Sequence, residues 1–217
     1  MKSALVLSAT LLGTVVAAPA LARADQFEEA PETPPLNGKA GNVAIQFDLL
    51  PLGHVSFKET TLNGRPTDSL DLTTAYGVGI QLNYAVSTHF SLGAAPRLVF
   101  NVKADGDNAA AKEFDLRARA TLHTASDVSP VFQFFAFAEP GYSYYFVDER
   151  DWPTGVDTPT GPVLAFGGGF NYDASSSMFV SAEIGYQLGF QSIRSMARDA
   201  DFGFNYLHVG LGVGTRF

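Results

Sequence analysis

The chain has 217 residues, with 21 glycines, 18 phenylalanines, no cysteine and a formal charge of −8. This length suits one domain with a short appendage. A hydrophobic fraction of 46% against 17% charged residues argues against a disordered protein. The acidic excess argues against a nucleic-acid binder, which must present a basic face. The lack of cysteine excludes disulfide frameworks, thiol nucleophiles and thiolate zinc sites.

The first 24 residues have the parts of a secretory signal peptide. Lys2 precedes an apolar run over residues 4–18, and small residues then offer cleavage sites after Ala22 or Ala24. The run is shorter than the ~20 residues that a membrane-spanning helix needs. We therefore expect residues 1–24 to be removed on export, which takes away Lys2 and Arg23 and changes the formal charge from −8 to −10.

Residues 25–41 differ in composition from the rest of the chain. They contain three prolines, four acidic residues and almost nothing apolar. Such a segment cannot bury enough apolar surface to offset the entropy lost on ordering. It is predicted to be a flexible leader in front of the domain at 42–217.

From residue 42 onward, apolar side chains recur at every second position, which is the period of a strand with two unlike faces. Segment 114–123 is a clear case, since Phe114, Leu116 and Leu122 alternate with Arg117 and Arg119. The eight segments with this pattern are 42–50, 70–86, 90–103, 114–123, 131–146, 164–172, 178–190 and 206–217. Segment 131–146 is noisier, because two phenylalanines share its polar face.

These segments suit a membrane barrel better than a soluble β-sandwich. Each is long enough, at ~9–11 residues, to cross a bilayer as a tilted strand. One face is almost continuously apolar, while the other is rich in glycine with scattered ions, as in a narrow lumen. Short turns alternate with long loops, which are predicted at 53–69, 104–113, 147–161 and 191–201. The predicted fold is all-β, an eight-stranded antiparallel up-and-down transmembrane β-barrel.

The last strand carries a resemblance to a known family. Phe217 ends the chain, and it is preceded on the same face by Leu207, Val209, Leu211 and Val213. This pattern resembles the C-terminal assembly signal of the small OmpA-like and OmpX-like outer-membrane barrels, although Thr215 departs from the large apolar residue often found there. The resemblance implies a Gram-negative-type outer membrane, with outer-membrane lipid, lipopolysaccharide and the barrel assembly machinery as partners.

Charged residues and one histidine on the inward face are predicted to form a structural network in the lumen. They are Asp48, Arg97, Arg117, Arg119, Glu139, Glu183, His208 and Arg216. An eight-stranded barrel is only wide enough for side chains to fill it, and buried ions of both signs must pair. We therefore favour a salt-bridge plug over an ion path. These residues should affect stability and conductance rather than turnover.

The sequence contains no strong catalytic motif. His54 and Ser56, with Glu59 nearby, faintly resemble the His-x-Ser of outer-membrane lipid A deacylases, but they lie on the first strand and Phe57 replaces an expected polar residue. We predict a non-enzymatic protein without catalytic, cofactor or metal residues. Its role would be structural or in surface interaction through the four long loops. A narrow channel for ions or small solutes is the alternative, and a lipid A-modifying enzyme is a remote one.

Overall fold

The computed structural model describes residues 41–59, 66–106, 110–124, 132–146, 158–194 and 199–217. The regular elements in these ranges are the strands β1 (Gly41–Glu59), β2 (Pro66–Leu72), β3 (Ala75–Ala85), β4 (Phe90–Ala94), β5 (Arg97–Val102), β6 (Ala111–His123), β7 (Phe132–Phe146), β8 (Thr160–Asp173), β9 (Met178–Gly189), β10 (Gln191–Arg194) and β11 (Asp199–Arg216). Within these ranges no helix is long and apolar enough to cross a membrane.

The eleven strands form an eight-stranded antiparallel ring. β2 continues into β3, β4 into β5, and β9 into β10, so each of these pairs makes one barrel strand with a short break. Each barrel strand pairs with its neighbours along the chain, and the first and last strands close the ring. The closing ladder runs from Asn42 opposite Arg216 to Glu59 opposite Ala200. The predicted all-β, eight-stranded fold is confirmed.

One end of the ring holds both the first and last described residues, and we call it the turn end. Gly41 and Phe217 exchange two backbone hydrogen bonds there, of 3.1 and 3.0 Å. Two tight turns lie at the same end, where Val86 N donates to Phe90 O and Ala174 N donates to Met178 O. The predicted turn at 126–130 lies outside the described residues. The opposite end, where the four predicted loops lie, is the loop end.

Period-two alternation places large apolar side chains on the outside of the ring. Phe47 on β1 and Leu211 on β11 are 63% and 60% exposed, whereas their chain neighbours point inward and are buried. Outward aromatic rings gather at two levels, and rings within a level touch. At the turn end the Phe132 and Tyr172 centroids are 5.1 Å apart, and nearer the loop end those of Tyr142 and Tyr144 are 5.0 Å apart.

The strands reach farther toward the loop end than the sequence predicts. β1 ends at Glu59 rather than near residue 50, and it pairs with β2 inside the predicted loop 53–69. The other three predicted loops also lose residues to strands, because β6 begins at Ala111, β8 at Thr160 and β11 at Asp199. Apolar alternation stops where the outer face becomes polar, but the backbone ladder continues because hydrogen bonding needs no apolar side chain. Gly41, assigned to the leader, is the first residue of β1.

The interior changes character along the axis. At the loop end it is apolar: Leu50, Val55, Leu72, Val99, Val102, Tyr145 and Tyr206 form one buried cluster, with Phe202 and Phe204 packed against it. The Tyr145 and Phe204 rings stack with centroids 4.4 Å apart. Below this cluster, toward the turn end, the interior is filled by buried charged and amide side chains. That polar layer is the candidate site.

Candidate functional site

Three arginines enter the interior from two neighbouring strands. Arg117 and Arg119 lie two residues apart on β6, and Arg97 begins β5 beside them. The period of the strand turns all three inward, and none is more than 6% exposed. A buried guanidinium needs carboxylate partners, because leaving one unpaired costs several kcal/mol.

Arg119 connects strands that are far apart in the ring. Its Nη1 lies 2.6 Å from Glu139 Oε1 on the adjacent β7, and its Nη2 lies 2.8 Å from Glu183 Oε2 on β9. β9 is three strands away from β6 around the eight-stranded ring. The second ion pair therefore crosses the lumen instead of following the wall.

Arg117 and Arg97 extend the ion pairs toward the loop end. Arg117 Nη1 lies 3.1 Å from Glu139 Oε2, and its other terminal nitrogen contacts Asp115. Arg97 Nη2 lies 3.1 Å from the same Asp115 oxygen, and Nη1 lies 3.7 Å from Asp48 on β1. The result is one continuous chain of ion pairs from Asp48 to Glu183.

Buried amides connect the ends of this chain. Gln46 Nε2 donates to both Asp48 Oδ1 at 2.7 Å and Glu183 Oε1 at 2.6 Å. Gln187 Oε1 accepts from Arg97 and Arg117, and Gln187 Nε2 donates to Glu113 Oε1 at 2.9 Å. Arg97 and Gln187 lie on β5 and β9, which are on opposite sides of the ring. We call these groups, with the three arginines and their carboxylate partners, the lumen network.

Two inward phenylalanines form the turn-end boundary of the lumen network. The guanidinium carbon of Arg119 lies 4.2 Å from the Phe137 ring centroid and 5.5 Å from that of Phe135, as in cation–π contacts. Both rings are buried. These contacts explain the noisy pattern predicted for segment 131–146, because its polar face carries aromatic rings that cover an arginine.

Glycines on the facing strands leave room for these rings. A Cβ at Gly167 or Gly169 on β8 would lie 2.8 Å from the ring of Phe137 or Phe135, respectively. On β9 the inward Gly185 faces both Phe137 and His208. The glycine-rich face therefore gives volume to the rings and the arginine layer.

The eight-stranded ring is similar to known outer-membrane proteins. A family model described as the outer membrane protein beta-barrel domain matches residues 8–217. The chain belongs to this family. No curated protein matches it in sequence.

Solved structures of outer-membrane barrels share the fold. OprG from Pseudomonas aeruginosa is 18% identical with a TM-score of 0.53, and the match covers 82% of this chain and 97% of that one. AlkL, solved in lipid bilayers, is 13% identical with a TM-score of 0.51, covering 82% and 90%. Neisserial surface protein A is 16% identical with a TM-score of 0.48, covering 81% and 97%. At these identities the first two likenesses concern the fold alone.

Within this family barrel, the structure brings together seven of the eight predicted lumen residues. Six of them, Asp48, Arg97, Arg117, Arg119, Glu139 and Glu183, lie in the lumen network, and His208 Nε2 lies 3.5 Å from Glu183 Oε1. Arg216 does not join them. It lies at the turn end, paired with Asp173, with its guanidinium carbon 4.7 Å from the Phe179 ring centroid.

The sequence prediction missed two acidic members of the lumen network, Glu113 and Asp115. Both are completely buried on β6. Asp115 lies within the predicted strand 114–123 but outside the predicted network, and Glu113 lies in the predicted loop 104–113. Continuing the alternation of Arg119 and Arg117 backward by two further steps would have found both.

The predicted assembly residues line the outside of the closing strand. Val209, Leu211 and Val213 are exposed on the outer face of β11, Phe217 is exposed directly after it, and Leu207 is half-buried. Leu207 lies opposite Leu52 of β1, where the register of the closing ladder shifts. These side chains thus lie on the outer face of the barrel, which contacts lipid.

His54 and Ser56 also lie on the outer face, on β1 above Leu52, and both are exposed. Asn205 Nδ2 lies 3.1 Å from His54 Nε2, while Ser56 Oγ faces Gly203 of β11. Among the described residues no hydrogen bond joins His54 to Ser56, and the side chain of Glu59 is not described. The described residues contain no cluster of three or more potential metal ligands.

Proposed function

We propose that this outer-membrane barrel is a non-enzymatic protein with a structural or surface-interaction role, and that the lumen network closes its interior. The observation that carries the proposal is the pairing of Arg119 with Glu183 across the lumen, at 2.8 Å. Buried charges on opposite walls that pair with each other do not need water to solvate them. The interior can therefore be closed without a continuous path of water.

The width of the ring supports a plug over a pore. Eight strands enclose a space that side chains can fill. Here the filling includes two transverse connections, Arg119 to Glu183 and Arg97 to Gln187, and both are buried. An ion passing through would have to break them. The apolar cluster at the loop end adds a second barrier to a hydrated ion.

The loop end supports a role at the cell surface. β1 continues past Leu52 to Glu59 and pairs on both sides, with β2 and with β11. The sheet therefore projects beyond the band of outward apolar side chains, which we call the apolar belt. Its outer face there is polar, with His54 and Ser56 exposed. Such a projection can present the connections between strands at 60–65, 103–110, 147–159 and 195–198 to a partner outside the membrane.

This proposal includes a route to the membrane. Residues 1–24 direct export and are cleaved, residues 25–40 form a periplasmic leader, and the turn end faces the periplasm. The outward residues of β11 that end at Phe217 are read by the barrel assembly machinery. In the membrane the apolar belt contacts lipid and lipopolysaccharide.

Conductance in planar lipid bilayers tests the plug against the channel alternative. The native protein should give no stable ionic conductance, whereas Arg119→Ala should conduct because it removes the transverse pair. Arg216→Ala is the matched control, since Arg216 lies at the turn end outside the lumen network. Native conductance equal to that of Arg119→Ala would favour the channel instead.

The remote enzymatic alternative has its own test. Lipid A from cells that produce the native protein, His54→Ala or Ser56→Ala should have the same acyl composition. A deacylated lipid A that appears with the native protein and disappears with either variant would replace the non-enzymatic proposal.

A further inference from the structure

The lumen network has more carboxyl groups than cations. Five acidic residues lie in it, Asp48, Glu113, Asp115, Glu139 and Glu183, against three arginines, and all are buried. Even a protonated His208 leaves one carboxylate in excess. A buried charge without a partner is costly, so one carboxyl group must be neutralised in another way.

Glu113 is the acidic residue without a cation. The other four each lie within ion-pair distance of an arginine. Gln187 Nε2 donates a hydrogen bond to Glu113 Oε1, and no ion pair reaches Glu113 among the described residues. Its second oxygen, Oε2, is buried without a hydrogen-bond partner.

The groups around Glu113 favour a proton over a metal ion. They are Asp115 and Arg117 on its own strand, Arg97 on β5, Tyr145 on β7, Gln187 on β9 and Tyr206 on β11. Arg97 and Arg117 repel a cation, and both already bond to Asp115. The buried hydroxyl groups of Tyr145 and Tyr206 complete the surroundings of Glu113.

Asp115 supplies the matching acceptor. It lies two residues from Glu113 on the same inward face of β6, and its Oδ1 is buried without a partner while Oδ2 receives the arginines. One proton placed between the two unpartnered carboxyl oxygens would satisfy both and remove the excess charge. We propose that Glu113 is a proton-binding site, held as a neutral carboxylic acid that donates a hydrogen bond to Asp115.

This site would make the stability of the barrel depend on pH. In the unfolded chain Glu113 is ionised at neutral pH. Folding therefore takes up a proton, and stability should decrease as pH rises above the ordinary pKa of a glutamate, about 4.3, and level off once the folded carboxyl group ionises. This inference goes beyond the plug proposal and survives if the barrel conducts, because it concerns the charge state of one residue.

Infrared spectroscopy of the folded protein in detergent gives the direct test. The native protein at pH 7 should show the C=O stretch of a protonated carboxylic acid, Glu113→Gln should lose it, and Glu139→Gln should keep it. Glu139 is the matched control because it has two arginine partners. A native spectrum without this band would overturn the proposal, whether or not Glu113→Gln folds.

Thermal unfolding across pH gives the second readout. The melting temperature of the native protein should fall as pH rises from about 5 to about 8, and Glu113→Gln should lose this slope without melting lower at pH 7. Glu139→Gln should melt lower and keep the slope. The proposal fails if the two variants lose equal stability. It also fails if exchanging sodium for choline and adding EDTA lowers the native melting temperature, which would indicate a bound cation.

Discussion

Arg119 has two carboxylate partners on different strands and an aromatic ring against its planar face. Replacing it with alanine leaves the buried carboxylates of Glu139 and Glu183 without one of their positively charged partners. We expect Arg119→Ala to lower the free energy of unfolding by about 3–5 kcal/mol, the usual effect of breaking a buried pair from one side. Urea unfolding in detergent micelles, followed by the gel shift between folded and unfolded forms, measures it.

Arg216→Ala also removes an arginine side chain, but one that lies outside the lumen network. Its partner Asp173 is partly exposed, so water can solvate the carboxylate that remains. We expect a smaller loss than for Arg119→Ala. Equal losses would mean that the position of the arginine within the interior does not matter.

The inward glycines of β8 should not tolerate a side chain. A Cβ at Gly169 would overlap the Ala182 carbonyl oxygen and approach the Phe135 ring to 2.8 Å. We expect Gly169→Ala to cost about 1–3 kcal/mol through overpacking, as measured by the same urea unfolding. Gly168→Ala is the control, because its Cβ points outward and would meet the Phe135 carbonyl oxygen at 3.0 Å and the Ala136 Cα at 4.0 Å, with no aromatic ring nearby. A loss at Gly168 as large as at Gly169 would contradict the packing explanation.

The inward residues could be predicted because side chains alternate with a period of two. Arg117 and Arg119 were assigned to the lumen on this basis. Their partners could not be assigned, because the pairing of Arg119 with Glu183 depends on how the ring closes and staggers. Glu113 was missed for a different reason. An acidic residue at the edge of a polar segment gives no sign that the strand has already begun, so it was assigned to the loop.

At the scale of the element, strand centres were predicted better than strand ends. The turn-end limits agree closely, as for β9, which begins at Met178 as predicted. The loop-end limits of β1 and β11 were wrong by several residues. Apolar alternation indicates which residues contact lipid, whereas strand length depends on backbone pairing. The two signals give different strand ends where the strands extend past the last outward apolar side chains.

The closing strand β11 allows assembly and stability to be separated. Phe217 pairs with Gly41 through its backbone, and its ring is 66% exposed. Phe217→Ala keeps the backbone pair, so we expect the purified barrel to unfold at nearly the native urea concentration. In cells, however, most of it should fail to reach the outer membrane, because the proposed assembly signal has lost its terminal ring.

Membrane fractionation with unboiled and boiled gel samples measures this outcome. Thr215→Ala is the control on the same outer face of β11, and it should assemble normally. Native amounts of Phe217→Ala in the outer membrane would remove the assembly role from this residue.

At the scale of the molecule, the fold follows from a repeated local pattern, while the closure of its interior depends on contacts between distant residues. Segment 131–146 illustrates the difference. Its mixed face looked like a weak strand, yet β7 is regular and its two inward rings cover Arg119. A local pattern cannot distinguish a disturbed strand from one whose inward side chains match those on other strands.

The closure of the interior depends most on the bond that Arg119 makes with Glu183 across the lumen. A double-mutant cycle of Arg119→Ala, Glu183→Ala and the double variant measures it by urea unfolding. We predict that the double variant loses less stability than the two single losses combined, with a coupling energy of about 1–3 kcal/mol. Additive losses would contradict the account, because they would mean that the two walls are not joined at this level and that the interior is not closed by this pair.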